Sequence, residues 1–157
     1  MAKSVDVVEF QLGKEHYALD IHTAREIVEM MPITPLPRAP PYLAGIMNLR
    51  GEITNIINLK NLLGLPEDTA ADSQKIIVLM PDSAGGTNTG IIVDDVHSVI
   101  QIREEEIERM DDGIVSGISA YVKGIIKPAG DFADKARGLV IWIDILKVID
   151  QLAKQAA

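Results

Sequence analysis

The stretch that decides the fold is Gly45-Ile46-Met47-Asn48-Leu49-Arg50-Gly51-Glu52-Ile53-Thr54-Asn55-Ile56-Ile57-Asn58-Leu59. Gly45–Leu49 and Glu52–Ile57 lie on either side of Arg50-Gly51, the pattern of two strands around a tight turn. Gly51 supplies the positive φ that such a turn demands. Asn58 stands where a side chain caps a short helix over Leu59–Leu63, closed by Gly64 and Pro66.

The same order recurs further along. Gly45-Ile46-Met47 meets Gly124-Ile125-Ile126 at an offset of 79. Ile53, Ile57, Asn58, Leu59, Leu62 and Leu63 meet Leu139, Ile143, Asp144, Ile145, Val148 and Ile149 at an offset of 86. Leu19, Ile21, Ala24, Ile27, Val28 and Met30 meet Ile91, Val93, Val96, Val99, Ile100 and Ile102 at an offset of 72. Apolar matches alone are cheap in a chain with 22 Ile and 12 Val, so it is the shared order that marks a duplicated β-unit. Each unit of about five short strands closes into a small barrel with few exposed edges. The expected fold is mainly β: two tandem five-stranded barrel subdomains, 5–66 and 74–157, within a single domain over 1–157, with a C-terminal helix. The polar stretch Leu65–Ser73 connects them, and a groove between two such units is a common kind of binding site.

The remaining elements follow from alternation. Strands are predicted over Val5–Leu12 and from Tyr17 to Ile21, around the turn Gly13-Lys14-Glu15. Thr23–Glu26 suits a short helical or irregular segment, followed by a strand over Ile27–Met31. Pro32–Pro41 holds five of the eight prolines and reads as a stiff extended loop. Its Pro37-Arg38-Ala39-Pro40 fits a rigid crossover better than a ligand for an aromatic groove. Further strands are predicted over Lys75–Met80, Thr89–Val93, Ser98–Ile102, Tyr121–Lys127 and Leu139–Ile143, and Asp144 caps the final helix.

Composition excludes several classes. The 157 residues contain no Cys, hence no disulfide, thiolate metal site or Cys nucleophile. No apolar run approaches a bilayer span, and the N-terminal residues carry no export or acylation signal, so a cytoplasmic protein is expected. The formal net charge of −8 disfavours nucleic acid and anionic lipid as partners. His16, His22 and His97 lack metal-type spacing, and His16 and His22 are expected at the solvent-exposed ends of a strand. Gly85–Gly90 lacks the Lys-Ser/Thr of a phosphate loop and reads as a hairpin tip. Ser116 is in no nucleophile elbow, Asp94-Asp95 are neighbours that point apart on a strand, and the acidic Glu104–Asp112 reads as a solvated face. No catalytic, metal or cofactor site is expected, and no enzyme. What remains is Asn48-Leu49-Arg50-Gly51, in which Arg50 projects from the turn as a surface residue or as an interface anchor.

Gly45-Ile46-Met47-Asn48-Leu49-Arg50-Gly51 with Ile56-Ile57-Asn58-Leu59 resembles the signature of the CheW family of chemotaxis coupling proteins. Tyr17–Ile21 with Glu26-Ile27, Ile92-Val93-Asp94-Asp95-Val96 with Val99, and Leu139–Ile149 resemble three more of its segments, so the likeness runs from about Val7 to Leu152. Asn55 stands where the family usually has Pro, and the Gly130–Arg137 loop is longer and more charged than usual. The resemblance implies two SH3-like barrels and a non-enzymatic adaptor. Such an adaptor joins chemoreceptor cytoplasmic tips to the regulatory domain of the histidine kinase CheA, reaching membrane-associated arrays through its partners. It implies partner-binding roles for Ile21, Glu26 and Ile27 near the groove of the first barrel, for Gly45, Asn48, Leu49, Arg50 and Gly51 in the signature, and for Ile76, Gly90, Val96 and Val99 in the second barrel. Val96, Val99 and Ile27 read equally well as core. Self-association within arrays is left open. The rival function is a small-molecule sensor using the groove.

Overall fold

The computed structural model describes residues 4–65, 74–80, 88–108, 121–127 and 139–149. Its elements are β1 (Ser4–Leu12), β2 (Glu15–Asp20), a 3-10 turn (Ile21–Thr23), β3 (Ala24–Glu29), β4 (Leu43–Leu49), β5 (Glu52–Asn58) and α1 (Leu59–Leu62). There follow β6 (Lys75–Leu79), β7 (Thr89–Val93), β8 (Asp95–Arg103), a second 3-10 turn (Glu104–Glu106), β9 (Ile107–Glu108), β10 (Val122–Ile126), β11 (Val140–Ile143) and helix α2 over 145–149. The Gly85–Gly90 tip except its end, the Leu65–Ser73 connector except Leu65, Ser116, Asp111-Asp112 and the Gly130–Arg137 loop lie outside the described residues.

The strands form two sheets, ordered β8-β1-β2-β11-β10-β9 and β3-β6-β7-β5-β4. The first is five strands plus the two-residue β9, and the second is five, so the mainly β architecture matches the expectation. β3 starts earlier than expected, because Ala24, Glu26 and Val28 alternate with exposed Arg25, Ile27 and Glu29 from the first residue after the 3-10 turn. Asn58 Oδ1 accepts Asn61 N–H at 3.2 Å and Asp144 Oδ1 accepts Lys147 N–H at 3.2 Å, so both helix caps stand where the sequence puts them.

The chain does not divide at the expected boundaries. One compact unit is 22–96, and the other combines 1–21 with 97–157. The tandem split into 5–66 and 74–157 is therefore corrected: β1 and β2 belong with strands of the second half, and β6 and β7 with strands of the first. The reason is two parallel pairings, β5 with β7 and β11 with β2. Parallel neighbours need a long crossover and cannot be neighbours through a tight turn, so reading sequence neighbours as sheet neighbours fails there.

The repeat nevertheless survives at the level of register. In β4–β5, Leu43 faces Ile57, Gly45 faces Ile56 and Ile46 faces Asn55, with a bulge between Leu43 and Gly45. In β10–β11, Val122 faces Ile143, Gly124 faces Trp142 and Ile125 faces Ile141, with a bulge between Val122 and Gly124. These are the same pairs displaced by 79 and 86. The parallel pairs Asn55–Thr89 and Ile56–Gly90 likewise become Ile141–Tyr17 and Trp142–Ala18, the displacement of 72 taken backwards.

Each unit has its own core. Met47, Leu49, Ile56, Ile76 and Val78 cluster in unit 22–96. Val7, Ala18, Ile102, Ile126, Val140 and Trp142 cluster in the other. Burying each Val, Leu, Ile or Met side chain of these clusters supplies about 1.5–3 kcal/mol. Asn55 donates its N–H to Asn88 O at 2.9 Å, a bond that a proline at this position would lack.

Candidate partner-binding site

The site is built on the β4–β5 hairpin. Leu49 pairs with Glu52, leaving Arg50-Gly51 as a two-residue loop. Both have positive φ, 51° and 87°, the mark of a type I′ turn, whose twist suits antiparallel strands. The sequence reading assigned positive φ to Gly51 alone. Asn48 Oδ1 accepts Gly51 N–H at 2.8 Å and holds the loop closed. Arg50 thus occupies a conformation that costs a non-glycine residue about 1–2 kcal/mol, and such strain gathers at functional positions.

From this turn the Arg50 guanidinium donates to the Glu26 carboxylate on β3. β3 and β4 are the outermost strands of the sheet order, so a bond from the β4–β5 turn to β3 means that the sheet of this unit curls round on itself. Arg25 Nε lies 4.0 Å from the same carboxylate. Arg50 is well exposed, and an exposed ion pair contributes only about 0.2–1 kcal/mol to folding. The pair therefore adds little to stability.

Gly45 belongs to the site indirectly. The proline loop is bridged to β4 through Thr34 N–H to Ile46 O at 2.8 Å and the reciprocal bond at 2.9 Å. A Cβ on Gly45, whose φ is 150°, would stand 2.3 Å from Thr34 O. The glycine is what lets the loop lie against the strand that leads to Arg50.

The other named residues divide. Asn48 and Gly51 are exposed beside Arg50, Leu49 is nearly buried, and Gly45 is buried. Ile27 and Val99 are exposed apolar residues on β3 and β8, at 43% and 53%. Val96 and Ile21 are half-buried. Ile76 and Gly90 lie in the core: a Cβ on Gly90 would meet Ile76 Cγ2 at 2.7 Å. Unit membership also differs from expectation. Ile21 lies in the unit of 1–21 and 97–157, whereas Ile76, Gly90 and Val96 share unit 22–96 with Glu26 and Arg50, because the units divide after Ile21 and after Val96.

Three polar clusters were not foreseen. Lys60 Nζ on α1 meets Asp94 Oδ2 at 2.6 Å, both nearly buried, and Gln74 Nε2 donates to Asp94 Oδ1 at 3.5 Å. Lys123 Nζ meets Asp20 Oδ2 at 2.8 Å, and Trp142 Nε1 donates to Asp20 Oδ1 at 2.6 Å. His16 is not at a solvent-exposed end: its Nδ1 is 3.0 Å from the fully buried Glu9 carboxylate and its ring packs on His97 at 5.0 Å. His22 is exposed as expected. The first two, and the His16–His97 contact, join residues far apart in sequence, for which spacing offers no signal; Glu9 and His16 meet across the β1–β2 hairpin. Among the described residues no three His, Asp or Glu are placed to hold a metal ion, and no helix there is long and apolar enough to cross a membrane.

Two compact units, each built on its own sheet, place the chain in the class of two-unit, mainly β proteins. Residues 6–153 match the CheW-like domain, and the chain belongs to that family. It is 36% identical over 127 residues to the chemotaxis protein CheW of Treponema pallidum, covering 77% of this chain and 72% of that one. It is 28% identical over 151 residues to CheW of Bacillus subtilis, covering 96% and 90%. The crystal structure of the scaffolding protein TtCheW from Thermoanaerobacter tengcongensis superposes with a TM-score of 0.75 at 33% identity, covering 90% of each chain. The fold is the SH3-like pair that the resemblance implied. The family is one of chemotaxis scaffolds and adaptors, not enzymes.

Proposed function

We propose that this chain couples the cytoplasmic tips of chemoreceptors to the regulatory domain of the histidine kinase CheA, and is recruited to receptor arrays by those partners. The observation that carries the reading is Arg50, held at positive φ and bonded to Glu26 on a surface of unit 22–96. A partner carboxylate competes for, or shares, a guanidinium that is already oriented, and Arg is enriched in such hot spots. Asn48 and Gly51 shape the turn. Ile27 on β3 and Val99 on β8 offer apolar contact, with Val96 and Ile21 beside the points where the chain changes unit. Ile76, Gly90, Leu49 and Gly45 contribute by packing. The charged pair governs encounter and partner choice more than raw affinity.

The test is co-purification of the chain with a CheA regulatory domain and a receptor tip fragment, alongside Arg50→Asp and Glu26→Lys. The expected outcome is capture of both partners by the native chain, and loss of at least one by each variant at an unchanged Tm. Equal capture by both variants removes the site, and no capture by the native chain removes the function.

A further inference from the structure

The chain crosses from one sheet to the other directly after β2 and directly after β7, and the two crossings are built alike. At the first, Asp20 ends β2 and accepts from Lys123 Nζ at 2.8 Å and Trp142 Nε1 at 2.6 Å, while Lys123 stands 4.9 Å over the Trp142 ring. At the second, Asp94 is the single residue between β7 and β8, and it accepts from Lys60 Nζ at 2.6 Å and Gln74 Nε2 at 3.5 Å. At each crossing a lysine and a neutral N–H donor meet the carboxylate.

Apolar side chains of similar volume would hold these elements at least as firmly, because partly buried charges forfeit hydration. A two-point, charge-assisted contact adds direction and register. The strand beyond each crossing needs both. β3, after Asp20, carries Glu26 and Ile27, and β8, after Asp94, carries Val96 and Val99. Both strands stand at the outside of their sheet order. A strand paired along one side opens from its ends first.

We propose that Asp20 and Asp94 are positioning residues, each fastening the start of an edge strand that faces a partner. The identity of the partner rests on the adaptor reading, and the fastening does not.

Two variants of the full chain test this. Lys60→Met/Asp94→Leu removes both charges of the Lys60–Asp94 pair together. Asp20→Asn keeps an acceptor for Trp142 Nε1 but gives up the charge that holds Lys123. Amide hydrogen exchange is followed at 96–99 for the first variant and at 24–26 for the second, with β4, which pairs with β5 and not with β3, as the internal reference. Binding to a CheA regulatory domain is measured well below Tm. The expected result is exchange about tenfold faster at the named amides with β4 unchanged, and affinity about fivefold lower. Trp142, the single tryptophan, reports the Asp20→Asn clamp by its emission. Unchanged edge exchange in both variants overturns the proposal, as does faster exchange with native affinity. If the double variant loses its melting transition, Asp20→Asn decides alone. A native chain that binds no CheA domain defeats the adaptor reading, and the exchange data still decide the fastening.

Discussion

Arg50 is the residue at which local physics and the proposed role pull apart. A type I′ turn prefers Asn or Gly at its first central position, and this chain places Arg there. Arg50→Asn therefore relieves strain: the expected outcome is stability unchanged or raised by about 1 kcal/mol in a denaturant melt, with partner binding lost. A second residue-scale prediction concerns Tyr17, whose phenol is pushed above its ordinary value of 10.0 by burial and, secondarily, by Glu15. The folded state then keeps a proton that the unfolded chain releases. That contribution to stability is complete below pH 10.0 and is lost as pH rises through the folded value. Tyr17→Phe is expected to flatten the alkaline limb of a Tm-versus-pH curve. The need for Gly51 was legible from the turn itself, whereas the strain at Arg50 was not, since a non-glycine residue at positive φ leaves no mark in the sequence.

At the scale of elements, most strands announced themselves by alternation and the caps by residue type. Asn58→Ala removes the acceptor for Asn61 N–H and is expected to cost about 1 kcal/mol, read as a fall in Tm with the fold retained. β3 was placed three residues late because its turning segment is compressed into the short 3-10 turn Ile21–Thr23. The hairpin β4–β5 and its echo β10–β11 were read with their glycines in place, while the bulge they share was seen only in the structure. The parallel partners of β5 and β11 were not, because nothing local distinguishes a strand that pairs with its neighbour in sequence from one that pairs with a distant strand. The lysine–aspartate contacts were invisible for the same reason. The Glu26–Arg50 pair was named residue by residue, but not as a bond.

For the whole molecule, the choice of boundary is decisive. A fragment 5–66 separates β3 from β6 and β5 from β7, whereas 22–96 keeps all five strands of its sheet. By circular dichroism, 22–96 is expected to retain strand signal and a cooperative, low-temperature transition, while 5–66 and 74–157 do not; a unit of this size is marginal by itself. Equal folding of 5–66 and 22–96 contradicts the assignment. The duplication was thus legible and its phase was not: the copies are offset by one hairpin from the point at which the polypeptide opens. Join residue 157 to residue 1 through a linker, open the ring before His22, and each module becomes one uninterrupted run, 22–96 followed by 97–157 and 1–21. The interleaving is thus a property of where the ring is cut, and the permuted gene would encode the two-bead string that the primary structure first suggests.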